Sequence, residues 1–132
     1  MFLPEEDDIF EQIDNLNLYL RFNATQFPTI AAVIAGAGTG ATATISGSDT
    51  KGQITLTTGS GAWAIGVQAT VTFARNYISA PIVVLTAADA DAAVAWDAHD
   101  VYVTSTTTTF SINFGVAEAA GVEMVFNYIC LE

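Results

Sequence analysis

From Ile30 onward the chain is cut into short runs of apolar and β-branched residues: Ile30–Ala35, Ala41–Ser46, Gln53–Thr58, Ala69–Ala74, Ile82–Thr86, Val101–Thr104, Phe110–Phe114 and Glu123–Ile129. Turn-forming residues punctuate them at Gly36–Gly40, Gly47-Ser48-Asp49, Gly59-Ser60-Gly61, Ser79-Ala80-Pro81 and Ala120-Gly121. Within residues 53–57, 69–73 and 110–114 apolar and polar side chains alternate, the period of a strand with one wet face. Eight short strands so spaced predict an all-β fold, an antiparallel β-sandwich of jelly-roll kind. Ala87–Ala98 is rich in alanine, but its Asp residues and its place between two strands predict a loop. No helix is expected in the body.

Charge narrows the function classes. Fourteen acids oppose three bases, Arg21, Lys51 and Arg75, for a net charge of −11. Nucleic acid and anionic membranes both need basic patches, so neither is an expected partner. Hydrophobic content is 52% on a body with few charges to cover its outside, which favours surfaces shared with other copies. Phe2-Leu3-Pro4-Glu5-Glu6 lacks the basic start and apolar run of a signal peptide. The longest apolar stretch, Ile30–Ala35, is too short to span a bilayer. The single cysteine, Cys130, sits in an apolar run and is expected to be a buried structural thiol.

Residues 1–29 read as an acidic, apolar attachment arm and residues 30–132 as the sandwich domain. Glu5, Glu6, Asp7, Asp8, Glu11 and Asp14 follow Pro4, as at a helix N-terminus. Ile9, Ile13, Leu16 and Leu20 are spaced as a helical seam, yet Leu16, Leu18, Leu20 and Phe22 alternate as in a strand. Both patterns cannot be used at once. A short helix to about Asn15 followed by an extended stretch reconciles them, and so short a helix needs something to pack on.

Few residues suggest chemistry. Gly36-Ala37-Gly38-Thr39-Gly40-Ala41 superficially matches a dinucleotide fingerprint, but a strand follows where a helix is required, so a Gly-rich hinge between arm and body is the expectation. Asp89, Asp91, Asp97, His99 and Asp100 cluster without the spacing of a defined metal motif, and they read as a solvated acidic loop. Trp96 beside them, and Trp63 in a Gly-flanked turn, are candidate sugar-stacking platforms or anchors at a subunit contact. A serine triad would have to use His99, and no nucleophile elbow accompanies it. Glu118 and Glu123 flank a turn, which makes a carboxylate hydrolase a poor fit. The reading is non-enzymatic, with no cofactor and no resident metal.

Residues 37–131 resemble the small trimeric β-domain at the ends of bacteriophage tail fibres, head fibres and related virion proteins. Residues 40–59 resemble that family's Gly/Thr-rich double strand, with its turn at Gly47-Ser48-Asp49-Thr50-Lys51-Gly52. Val71-Thr72-Phe73 and Ala80–Thr86 resemble the strand pair that follows. Phe110-Ser111-Ile112 and Phe126-Asn127-Tyr128-Ile129 resemble the last two strands. The resemblance implies a homotrimer and brings no catalytic residues. In the turn, Asp49 is expected to fold back on backbone N–H groups.

The long shaft of a typical fibre is missing. A chain from Met1 with only a short arm fits a stand-alone knob on a particle surface, made in the host cytoplasm. Capsid decoration, or cement, is such a role. Phe2, Leu3, Ile9, Phe10, Ile13, Leu16, Leu18 and Leu20 would then anchor the arm on the major capsid protein or another virion protein. The alternative is the tip of a head or tail fibre that recognises a host surface glycan or protein through Trp63, Trp96 and His99.

Overall fold

Strand alternation decides what is buried. Along the last strand Met124, Phe126, Tyr128 and Cys130 turn inward, while Glu123, Asn127, Ile129 and Leu131 turn out. Ile54 and Leu56 do the same in the third strand, and Phe110, Ile112 and Phe114 in the seventh. Each of these side chains contributes ~1.5–3 kcal/mol by leaving water.

The structure, a computed structural model, describes residues 27–61 and 64–132. Its strands are β1 (Thr29–Ala32), β2 (Thr42–Gly47), β3 (Lys51–Thr57), β4 (Gly66–Thr72), β5 (Ile82–Ala87), β6 (Val101–Ser105), β7 (Thr109–Phe114) and β8 (Glu123–Leu131). They form two four-stranded sheets ordered β1-β4-β7-β6 and β2-β3-β8-β5, with every pairing antiparallel. Consecutive strands pair in β2-β3 and β6-β7, and the other connections cross between sheets. One apolar core fills the space between the sheets. The chain is therefore an all-β, two-sheet protein, as the run spacing predicts. The arm anchors Phe2, Leu3, Ile9, Phe10, Ile13, Leu16, Leu18 and Leu20 lie outside the described residues, as does Trp63.

Three local expectations need correction. Residues 90–98, expected as a loop, form helix α2 (Ala90–Ala98); α1 is the single turn Ile34–Ala37. Asp89 caps α2 by accepting the Ala92 N–H at 2.8 Å, and Ala92 and Ala95 bury one face. Alanine's helix propensity and one cap outweigh the acids, which stay in water.

The Gly36–Gly40 segment is packed rather than hinged. Gly36 is buried, and a Cβ there would overlap the Val67 carbonyl oxygen at the β4 bulge. Thr39 bridges Ser60, and the Ala64 N–H bonds Gly36 O at 3.0 Å.

Asp49 does reach backbone N–H groups, but not those of its own turn. Its carboxylate accepts Ala74 and Arg75, each at 2.9 Å, while Ser48 Oγ serves the turn by accepting the Thr50 N–H.

Candidate interaction surfaces

Helix α2 sets one candidate surface. With Ala92 and Ala95 turned inward, Ala93 and Trp96 come to the outside beside β5, the edge strand of its sheet. Leu85, Thr86, Ala87, Ala93 and Trp96 line a groove of about 430 Å³. Trp96 is 42% exposed. Among the described residues no titratable side chain lines this groove, and its apolar walls suit stacking on a sugar ring or seating an apolar side chain.

His99, expected beside Trp96 on a contact loop, instead turns into the body. Its Nε2 lies 3.0 Å from Glu118 Oε2, and its ring stacks on Phe114 with centroids 6.1 Å apart. Glu118 is buried, and its Oε1 accepts the Ala119 N–H at 2.6 Å. The Nδ1 of His99 is enclosed and has no hydrogen-bond partner among the described residues. The pair closes the corner where α2 hands over to β6, since the Gly115 and Val116 N–H groups bond His99 O. Asp89 is committed to its cap, while Asp91, Asp97 and Asp100 are exposed. Among the described residues no three His, Cys, Asp or Glu side chains gather as metal ligands.

The other end of the same sheet carries a second apolar surface. Cross-strand register sets Ile82 opposite Leu131 and Val84 opposite Ile129, all on the outward face. Directly opposed residues sit with Cβ atoms ~5 Å apart, so the four form one patch. They are 69%, 52%, 42% and 50% exposed in that order, and Ile78, 92% exposed, adjoins them through its N–H to the Glu132 carboxylate. Lys51 faces Ile129 across β3 and β8 and borders the patch. The rest of this face is mostly Thr, Ser, Gln and Asn, with Gln53 Nε2 donating to Asn127 Oδ1 at 3.1 Å.

The opposite sheet exposes a neutral face too. Thr70 Oγ1 bonds Ser111 Oγ at 3.1 Å, Asn113 Nδ2 donates to Thr104 Oγ1 at 3.2 Å, and Tyr102 stands half-exposed beside them.

Beneath the aliphatic patch lies a buried polar cluster that sequence reasoning only half anticipated. Tyr77 OH donates to Asp49 O at 2.8 Å, and Tyr128 OH donates to Ser48 O at 2.5 Å. Gly52 is required here, because a Cβ would run into the Tyr128 hydroxyl. Cys130 is free and buried. Its thiol is pushed up to about 12 by burial and then by the Asp49 charge, partly offset by a Tyr77 hydrogen bond. The Tyr128 phenol is raised above its ordinary range by burial first, then by Cys130, Asp49 and Tyr77. Such a protonated thiol is a poor nucleophile. Only the turn chemistry of Asp49 signalled this cluster, because the partners at Ala74 and Arg75 are distant in sequence.

No protein-family model matches the chain, and comparison with curated proteins and with solved structures found no match either. No helix among the described residues is long and apolar enough to cross a membrane.

Proposed function

We propose that this chain is a non-enzymatic structural protein of a bacteriophage particle, a homotrimeric jelly-roll-like sandwich that decorates and reinforces the capsid. Residues 1–29 dock on the major capsid protein or another virion protein, and residues 30–132 form the outward domain. One observation carries the reading. Among the described residues the outer faces of both sheets are built of Thr, Ser, Asn, Gln and aliphatic residues with almost no charge, and Asp49, Asp89, Glu118 and His99 make structural contacts. Asp49 holds a loop, Asp89 caps a helix, and Glu118 pairs with His99. Neutral sheet faces suit contact with other protein surfaces, and the acids steer docking on basic ones. The resemblance of residues 37–131 to the fibre-end β-domain supplies the phage setting.

Deleting residues 1–22 tests this. Particle binding should disappear while a folded trimer remains; a truncated chain that still binds particles, or that loses its trimer, contradicts the arm's role.

A second reading keeps the phage setting and makes the protein a receptor-binding tip. The half-exposed Trp96 on an apolar groove favours it, since that arrangement suits stacking on a host glycan. Under that reading Trp96→Ala lowers adsorption to cells and leaves particle assembly intact. Under the decoration reading adsorption is unchanged.

A further inference from the structure

An edge strand carries half of a ladder, and its outward N–H and C=O groups are satisfied by one more strand. β5 is such an edge, and its pairing with β8 shows which groups are left over. The Ala88 N–H bonds Val125 O at 2.8 Å. Bonded pairs recur at every second residue of an antiparallel ladder, so Ile82–Leu131, Val84–Ile129 and Thr86–Asn127 are the bonded pairs here. The other flank of β8 agrees, since the Cys130 N–H bonds Thr50 O and so faces β3. The N–H and C=O groups of Val83, Leu85 and Ala87 therefore point away from the sheet. Beyond the ladder, no hydrogen bond among the described residues reaches them. Pro81 O heads the same row and accepts Ser105 Oγ at 2.7 Å.

Little guards this edge. β5 keeps its register without a bulge, bears no charged residue, and has its proline, Pro81, only before its start. The groove described above adjoins the same stretch: Leu85, Thr86 and Ala87 line one side, and Ala93 and Trp96 of α2 the other. An added strand would bond the β5 backbone and turn every second side chain toward that groove. A glycan could stack on Trp96, but only a strand also completes the ladder. Charge narrows the partner further. Asp97, four residues after Ala93 and exposed, stands on the same side of α2, and β5, α2 and β6 carry no base. The β5 of a second copy would bring no base to meet this acid, whereas a strand with Lys or Arg would.

We propose that the edge of β5 is a docking site for an extended strand of a different protein, apolar at alternate positions and basic at its ends. Main-chain bonds to Val83, Leu85 and Ala87 hold the strand, and the groove beside Trp96 selects its side chain. The basic end meets Asp97. The site rests on the geometry of β5 and α2 and stands or falls independently of the capsid reading.

Amide hydrogen exchange read by NMR on the full-length chain tests it, with the acetylated and amidated peptide Lys-Val-Thr-Phe-Thr-Val-Lys as probe. In the free protein the Val83, Leu85 and Ala87 amides should exchange faster than those of Val84 and Thr86. Saturating peptide should slow the first set by about tenfold or more and shift the Trp96 signals. The same peptide N-methylated at its inner residues cannot donate to the ladder and should bind about tenfold more weakly or worse. Trp96→Ala should weaken binding to a similar degree. Ala87→Pro removes an edge donor but no bond to β8, and should weaken it in a body whose other amide shifts are unchanged. Equal binding of the two peptides, or no added protection of the edge amides, overturns the proposal. Protection already present in the free protein also overturns it, because the edge is then closed by this chain or another copy. If maltoheptaose shifts Trp96 and the peptide does not, the groove belongs to a glycan and the proposal fails.

Discussion

The Asp49 carboxylate accepts the Arg75 backbone N–H at 2.9 Å, joining the β2-β3 turn to the loop that leaves β4 in the other sheet. Its second oxygen accepts Ala74 at the same distance, and the residue is 2% exposed. A buried carboxylate with two N–H donors ties the sheets together at the end where Tyr77 and Tyr128 also close. Asp49→Ala leaves both donors unsatisfied and should cost ~3 kcal/mol of unfolding free energy. Asp49→Asn keeps one acceptor and should cost less. Urea denaturation of the three proteins checks the order, and equal stability of wild type and Asp49→Ala would refute this role.

Alkaline pH should loosen the same end. Cys130 has an ordinary pKa of 9.0 and is pushed up to about 12 in the folded protein. Between these values the unfolded chain gives up a proton that the folded chain keeps. The contribution is whole below pH 9 and is lost as pH climbs toward about 12, at up to ~1.4 kcal/mol per pH unit. Tyr128 is shifted in the same direction and adds to the loss above its ordinary 10.0. Denaturation midpoints measured from pH 8 to 11 should fall, and less steeply in Cys130→Ala. An unchanged slope in that variant would show that the thiol does not contribute.

Gly36 separates a packed glycine segment from a hinge. A hinge tolerates alanine, whereas a side chain here meets the Val67 carbonyl and Gln68 Nε2. Gly36→Ala should destabilise the fold by more than ~2 kcal/mol, since backbone at the bulge must move. A melting temperature within a degree or two of wild type would restore the hinge.

What the residues disclosed follows physical range. Strands were legible because alternation is local: Ile54 and Leu56, or Phe110, Ile112 and Phe114, declare a buried face within five residues. Helix α2 reads as a loop in the sequence because its signal is a cap and alanine propensity without an amphipathic stripe, interrupted by Asp91 and Asp97. The Asp49 lock and the His99–Glu118 pair join residues 26 and 19 positions apart, and no periodicity carries such information. The aliphatic patch was in plain view as Ile82, Val84, Ile129 and Leu131. Its meaning depends on the register of β5 against β8, which places the four together and outward.

The proposed decoration role is tested most directly by cryo-electron microscopy of phage particles assembled with this protein. The account predicts three-fold density at capsomer junctions, with the N-terminal segments running over the shell. Density confined to the tips of head or tail fibres, or absent from the particle, would contradict it.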